Sequence, residues 1–404
     1  MNQQPDLNIG TCGHVAEGKS SLIKAITGIS PMRYKSEKLK NLTIKLGYAN
    51  SKIYKCNCEN FESYRCNVKE KICNICNKEN VVKKNISFVD CPGHESFMGT
   101  MLNGACLMDV ALLVISANNT CPQAQTVEHL KALSVMNVEN IIILQNKLDL
   151  VSKEKALDNL KEIKKFIKGT IAENSPIIPI SAQLGININI VLKHICEINN
   201  IKRNIDSPPK MVIVRSFDIN KPNIDYNQIK GGVIGGSLLQ GKLKKGDKIT
   251  IKPGIKIGNS YRKISSEIIS IKTDNTDLQE ALPGGLIGIE LLIDPFLTSS
   301  DKLIGNFIEL DDEKDKNIQS LTLEYQQLKD SNKIKKNENI ILNIYSANIQ
   351  GKISSKYKQG EQKFIKITNF NKPVYTDHGE NITLLQKVNN RNCLFGFGIV
   401  KEIN

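Results

Sequence analysis

Apolar residues in the first half of the chain come in short unbroken runs separated by helical spacing. Leu7-Asn8-Ile9-Gly10-Thr11-Cys12 suits a buried strand, and Ile86-Ser87-Phe88-Val89, the run 110–115, Ile141-Ile142-Ile143-Leu144 and Ile177-Ile178-Pro179-Ile180 read the same way. Between them Leu22, Ile23 and Ile26 share one helical face with Gly28 as a stop, and Ala156, Leu160, Ile163 and Ile167 are spaced four, three and four. This alternation predicts a doubly wound α/β domain on a mostly parallel sheet over residues 1–206, with its ligand at the carboxyl ends of the strands. At Asp206-Ser207-Pro208-Pro209 a rigid proline pair reads as a linker, and helical periodicity fades beyond it. Met211-Val212-Ile213-Val214, the turn Lys244-Lys245-Gly246-Asp247 leading into Lys248-Ile249-Thr250-Ile251, and Pro283-Gly284-Gly285 before Leu286-Ile287-Gly288-Ile289 predict a β-barrel over 207–308. The runs at 339–344 and Phe364-Ile365-Lys366-Ile367 place a second β-barrel at 309–404.

Composition adds compartment and partner class. The 404 residues allow about two to four domains. Lys and Arg number 55 against 41 Asp and Glu, a net charge of +14, which is compatible with a polyanionic partner, RNA first, and equally with a plain basic surface. No stretch approaches the roughly 18 apolar residues of a membrane span, and residues 1–6 have neither the basic region nor the apolar core of a signal peptide, so a cytoplasmic protein is expected. Five of the 11 cysteines crowd between residues 56 and 76, which points to a metal site in a reducing compartment and not to a disulfide framework.

The candidate chemistry starts at Gly13-His14-Val15-Ala16-Glu17-Gly18-Lys19-Ser20, which reads G-x-x-x-x-G-K-S between a strand and a helix. A tight glycine loop there aims backbone N–H groups at a β-phosphate, Lys19 reaches the β/γ-phosphates and the Ser20 hydroxyl ligates Mg²⁺. Asp90-Cys91-Pro92-Gly93-His94 follows a strand, where Asp90 can hold Mg²⁺ and the Gly93 N–H can touch a γ-phosphate. Asn146-Lys147-Leu148-Asp149 ends another strand, and the Asp149 carboxylate matches the two donors of guanine, which adenine lacks. Ser181-Ala182-Gln183 completes the base pocket after the strand ending at Ile180. Four motifs in this order predict a GTP site lined by Gly13, Ala16, Glu17, Gly18, Lys19, Ser20, Ser21, Asp90, Gly93, Asn146, Lys147, Asp149, Ser181, Ala182 and Gln183. Thr43 is the candidate switch threonine, closing the Mg²⁺ shell formed with Ser20 and Asp90 only when triphosphate is bound.

His94 is the candidate to orient the attacking water, with Lys19 stabilising charge. No internal arginine finger is evident, so slow intrinsic hydrolysis raised by a partner is expected. His14, His129, His194 and His378 belong to no constellation and read as structural or solvated. In the cysteine-rich insertion, Cys73-Asn74-Ile75-Cys76 has the gap of a zinc knuckle, whereas Cys56-Asn57-Cys58 is tighter. The preferred zinc set is Cys58, Cys66, Cys73 and Cys76, with Cys56 as substitute, and free thiols as the alternative. Few apolar residues in the insertion favour a metal staple.

With Gly13–Ser20, Asp90–His94, Asn146–Asp149 and Asn41-Leu42-Thr43-Ile44-Lys45-Leu46-Gly47-Tyr48-Ala49-Asn50 in hand, the chain resembles the translational GTPases, most specifically the gamma subunits of eukaryotic translation initiation factor two. Leu46-Gly47-Tyr48-Ala49, the cysteine insertion, Val214-Arg215-Ser216-Phe217-Asp218 and Lys230-Gly231-Gly232-Val233 carry that narrower likeness, which covers nearly the whole chain and fades after about residue 320. The resemblance implies a P-loop GTPase domain followed by two β-barrels. It implies a carrier that takes methionyl initiator tRNA to the small ribosomal subunit and hydrolyses GTP to GDP and phosphate. Partners follow from it too: alpha and beta subunits, on the second and first domains respectively, a GTPase activator and a nucleotide-exchange factor. Asn41 and Tyr48 match positions near the tRNA acceptor end, where Tyr48 offers a stacking face. Glu17 stands where the family usually has His, an added carboxylate that is repulsive near phosphates unless it faces solvent or a cation. Ser21 and Leu42 replace Thr and Ile, the cysteine spacing is compressed, and the last domain is short. The alternatives are an elongation-type aminoacyl-tRNA carrier and a nucleotide-binding scaffold with vestigial hydrolysis.

Overall fold

A computed structural model describes residues 4–31, 37, 43, 45–58, 61–66, 72–73, 76–199, 201–274, 276–310, 318–328, 333–388 and 391–404. The chain divides into two compact units, Met1–Lys202 and Arg203–Asn404.

The first unit is a seven-stranded sheet of β1 (Leu7–Cys12), β2 (Gly47–Cys58), β3 (Phe61–Cys66), β4 (Val81–Asp90), β5 (Val110–Ser116), β6 (Asn140–Asn146) and β7 (Ile177–Pro179), in the order β3-β2-β4-β1-β5-β6-β7. Strands β4, β1, β5, β6 and β7 run parallel, and β2 and β3 are antiparallel additions at one edge. Every residue of β1 and β5 is buried, as expected of strands covered on both faces. The covering helices are α1 (Lys19–Thr27), α2 (Met98–Ala105), α3 (Ala124–Val135), α4 (Lys153–Ile167) and α5 (Ile188–Glu197). Helix α1 ends where Gly28, at φ 72°, donates its N–H to Lys24 O, a left-handed cap that glycine adopts without strain. Ser152 caps α4 by accepting from the Lys155 N–H, and that charged helix buries only a narrow stripe including Ile163 and Ile167. No helix among the described residues is long and apolar enough to cross a membrane.

The second unit holds two barrels. In the first, strands Lys248–Ile257, Phe307–Leu310, Lys210–Phe217, Val233–Gln240, Gly284–Leu291 and Ser260–Thr273 pair in that order and close when the first meets the last. The second is a closed barrel of Ser320–Gln327, Gln362–Thr368, Ala347–Gln359, Asn339–Ile344, Asn381–Val388 and Arg391–Ile403. The boundary expected at 308/309 cuts a strand of the first barrel: Ile308 is fully buried there and pairs with Ile251. Buried Lys210 joins the two, donating to Asp377 at 3.3 Å and Glu380 at 3.0 Å with its ammonium 4.6 Å from the Tyr345 ring centroid.

Candidate functional site

The carboxyl ends of β1, β4, β6 and β7 carry the groups singled out above. Behind β1 the chain turns sharply at Gly13, φ 134°, where an added Cβ would lie 2.3 Å from Val114 O. Gly18, φ 99°, opens α1, and a Cβ there would meet Asn146 Nδ2 at 2.3 Å. Lys19 folds back over the loop and donates to Gly13 O at 2.8 Å and His14 O at 2.6 Å. Burial pushes its ammonium pKa down, and the charge of Asp90 opposes that shift. Gly93 approaches so closely that a Cβ would sit 2.4 Å from Lys19 Nζ. The turn after Asp90 therefore reaches the mouth of the phosphate loop.

Asp90, at the end of β4, gathers three hydroxyls. It accepts from Thr11 Oγ1 at 2.9 Å, Ser20 Oγ at 2.6 Å and Thr43 Oγ1 at 3.2 Å, and the Ser20 and Thr43 oxygens are 3.1 Å apart. Burial raises the Asp90 pKa, and the Ser20 hydrogen bond and the Lys19 charge oppose the rise. Ser20 Oγ, Thr43 Oγ1 and Asp90 Oδ2 thus converge as hard oxygen donors, one from a carboxylate, a set that fits Mg²⁺. His94 is half-buried, its ring tilted against Phe97 at 5.9 Å between centroids. Its Nδ1 accepts from Ser96 N–H at 3.2 Å, which leaves Nε2 as the nitrogen able to meet a water.

On the neighbouring strand end, Asn146 donates to Glu17 O at 2.9 Å and accepts from Ala182 N–H at 3.0 Å, so one side chain ties the phosphate loop to the segment 181–183. Lys147 takes a left-handed conformation, φ 62°, and turns the chain so that Asp149 accepts from Ser181 Oγ at 2.5 Å. Asp149 and Gln183 are exposed, and Ser181 and Ala182 are buried. Ser21 is exposed on the first turn of α1, and Ala16 holds φ 61° inside the loop. Tyr48 is half-buried on β2 opposite Val89. Asn41 lies outside the described residues.

Two residues behave differently from their sequence reading. Glu17 does not face solvent, and its charge acts on the Lys19 ammonium. It is 1% exposed, and its carboxylate accepts from the Ser116 N–H and from Asn119 Nδ2 at 3.2 Å. His129, expected to belong to no constellation, accepts the Gly13 N–H on Nδ1 at 2.9 Å from within α3. Burial pushes its pKa down to about 3, helped by the charge of Lys19, so the ring is neutral and its Nδ1 lone pair is free to accept. The sequence held a signal for it: Thr126, His129, Leu130 and Leu133 share one face of a helix, a placement that buries the imidazole beside whatever that helix covers.

The cysteine-rich insertion brings together Cys56, Cys58, Cys73 and Cys76, whose sulfurs all lie within 4.8 Å of one another. Cys56 replaces Cys66 in the expected set. A strand alternates its faces with period two, so the one-residue gap between Cys56 and Cys58 sets both thiols on the same side of β2. Cys66 pairs with Ile53, on the opposite face, packs against the core and donates to Ser51 Oγ at 3.2 Å. Four thiols at this separation fit a tetrahedral zinc ion.

Residues 4–200 match the family profile of the elongation factor Tu GTP binding domain, 231–300 that of elongation factor Tu domain 2, and 317–400 that of initiation factor eIF2 gamma, C terminal. Among curated relatives, eukaryotic translation initiation factor 2 subunit 3 of Drosophila melanogaster is 42% identical, covering 98% of this chain and 89% of its own. The subunit gamma of Encephalitozoon cuniculi is 42% identical over 100% of this chain and 94% of its own. Among solved structures, a bacterial selenocysteine-specific elongation factor EF-Sec superposes with a TM-score of 0.72 at 22% identity, covering 97% of this chain and 58% of that one, a likeness of fold alone.

Proposed function

The chain belongs to the family of translation initiation factor 2 gamma subunits and is a translational GTPase, and from that premise we propose that it carries methionyl initiator tRNA to the small ribosomal subunit in the cytoplasm. Full-length identity to relatives bearing that subunit's name is the observation that carries this reading. The convergence of Lys19, Ser20, Thr43 and Asp90 beside Asn146, Asp149 and Ser181 supports the nucleotide half of it.

In this mechanism the loop amides and Lys19 hold the β- and γ-phosphates, and Asp149 selects guanine through its two donors. Ser20, Thr43 and Asp90 would hold Mg²⁺, which when bound neutralises phosphate charge. Thr43 and the Gly93 turn respond to the third phosphate, and His94 Nε2 positions a water for in-line attack. Tyr48 and Asn41 serve the tRNA acceptor end. Cys56, Cys58, Cys73 and Cys76 would hold a structural zinc. Residues 1–206 act as the GTPase domain that receives the beta subunit, and the barrel that follows receives the alpha subunit. An activator and an exchange factor set the pace of the cycle.

The test is initiator-tRNA binding with a non-hydrolysable GTP analogue and with GDP. We expect the triphosphate form to bind at least about tenfold more tightly. Equal affinity would remove the switch, and indifference to elongator methionyl-tRNA as competitor is required to exclude an elongation-type carrier.

A further inference from the structure

The phosphate loop is fastened from behind by a side chain that nucleotide chemistry does not use. Glu17 lies within the loop, between Ala16 and Gly18, both at positive φ. Its carboxylate is turned away from the loop's interior, accepting from the Ser116 N–H at the end of β5 and from Asn119 Nδ2. Asn119 is itself held, because its carbonyl accepts from Asn159 Nδ2 at 3.0 Å and Asn159 Oδ1 accepts from Gln145 Nε2 at 2.9 Å. The Glu17 carbonyl meanwhile accepts from Asn146, whose own oxygen takes the Ala182 N–H. The backbone and side chain of one residue therefore join the phosphate loop to β5, to α4 and to the base-recognition segment.

We propose that Glu17 is a positioning residue that sets how slowly guanine nucleotide leaves. The inference rests on the guanine-nucleotide site described above. A loop of converging N–H dipoles repels itself when no anion is present and must open for a bound phosphate to depart. Glu17 resists that opening at the base of the loop and makes the phosphate and base contacts yield together. Removing its carboxylate strips the buried Ser116 N–H of its acceptor and loosens this link, whereas the loop atoms that touch phosphate stay in place. Association, which is governed by encounter, changes little, and the effect falls on release.

Release of fluorescently labelled GDP from the full chain, followed by stopped flow, tests this. Glu17→Ala should speed release about tenfold, the scale of one lost acceptor to a buried donor, with association within about twofold of the parent. Glu17→Gln keeps an acceptor for Ser116, and the Asn119 amide can turn to accept from it, so release should stay within about threefold of the parent. Asn119→Ala should speed release by itself, and the double variant with Glu17→Ala should be no faster than Glu17→Ala, because both act through one link. Unchanged release in Glu17→Ala, or rates that multiply in the double variant, would overturn the proposal. Should Glu17→Ala fail to fold, Asn119→Ala decides, and an unchanged release rate there overturns it equally. A parent chain that does not bind labelled GDP at all would instead strike the guanine site itself.

Discussion

Asp149 holds one carboxylate oxygen against the Ser181 hydroxyl and is otherwise exposed at the strand end, and the role proposed for it is to accept from the two donors on the guanine edge. Asp149→Asn exchanges one acceptor for a donor and should lower GTP affinity about 10–100-fold while improving xanthosine triphosphate. Competition between the two nucleotides measures this, and an unchanged ratio would refute the role. His129 gives a pH dependence whose sign is fixed by its depressed pKa. The folded state holds the ring neutral down to about pH 3, whereas the unfolded ring protonates near its ordinary value of 6.5. Below that value the unfolded chain takes up the proton, so stability is full above about pH 6.5 and falls with acid by up to about 1.4 kcal/mol per unit. His129→Asn keeps an acceptor where Nδ1 stood and removes the titration. Its urea midpoint should change less between pH 7 and pH 5.5 than that of the parent. At this scale Lys19, Asp90 and Asn146 were legible because each sits in a contiguous motif tied to a strand end. The partners of Glu17 and His129 were not, because those bonds join residues 99 to 116 positions apart, a separation that only the folded sheet brings together.

Strands buried on both faces announce themselves as unbroken apolar runs, and β1, β4, β5 and β6 were all readable for that reason. The hairpin of β2 and β3 carries polar residues and cysteines on its faces and left no such trace. Its register then decided which thiols meet. Counting gaps favoured Cys66, because a spacing of one is too short for a knuckle on a loop, yet on a strand that spacing is the one that aligns two side chains. The two readings separate in a metal assay. Cys56→Ser should abolish stoichiometric zinc, and Cys66→Ser should leave about one zinc per chain, measured by elemental analysis after purification without added chelator. Stripping the metal should loosen the hairpin, seen as faster amide exchange across β2 and β3, with β1 and β5 unaffected.

Every group assigned to the nucleotide lies in the first compact unit, whereas the second unit is held by its own two barrel cores and by Lys210 between them. The turn of the chain near residue 206 was legible as a proline pair ending helical periodicity, close to the division at Lys202. The join between the barrels was not, because Phe307–Leu310 is a short run whose partners, Ile251 and its neighbours on one side and Met211 and Val212 on the other, are distant in sequence. Two units with separate cores should melt in two steps, and a ligand that binds only one folded unit adds RT ln(1 + [L]/Kd) to that unit alone. At a GDP concentration about a hundred times its dissociation constant, the increment is about 2.7 kcal/mol. For a unit of this size that raises its midpoint by roughly 5–10 °C. Scanning calorimetry with and without GDP and Mg²⁺ should therefore show one transition moving and the other staying. If both moved by the same amount, nucleotide would be stabilising the whole chain as a single cooperative body, and the assignment of the binding energy to the β1, β4, β6 and β7 strand ends would have to widen to include the barrels.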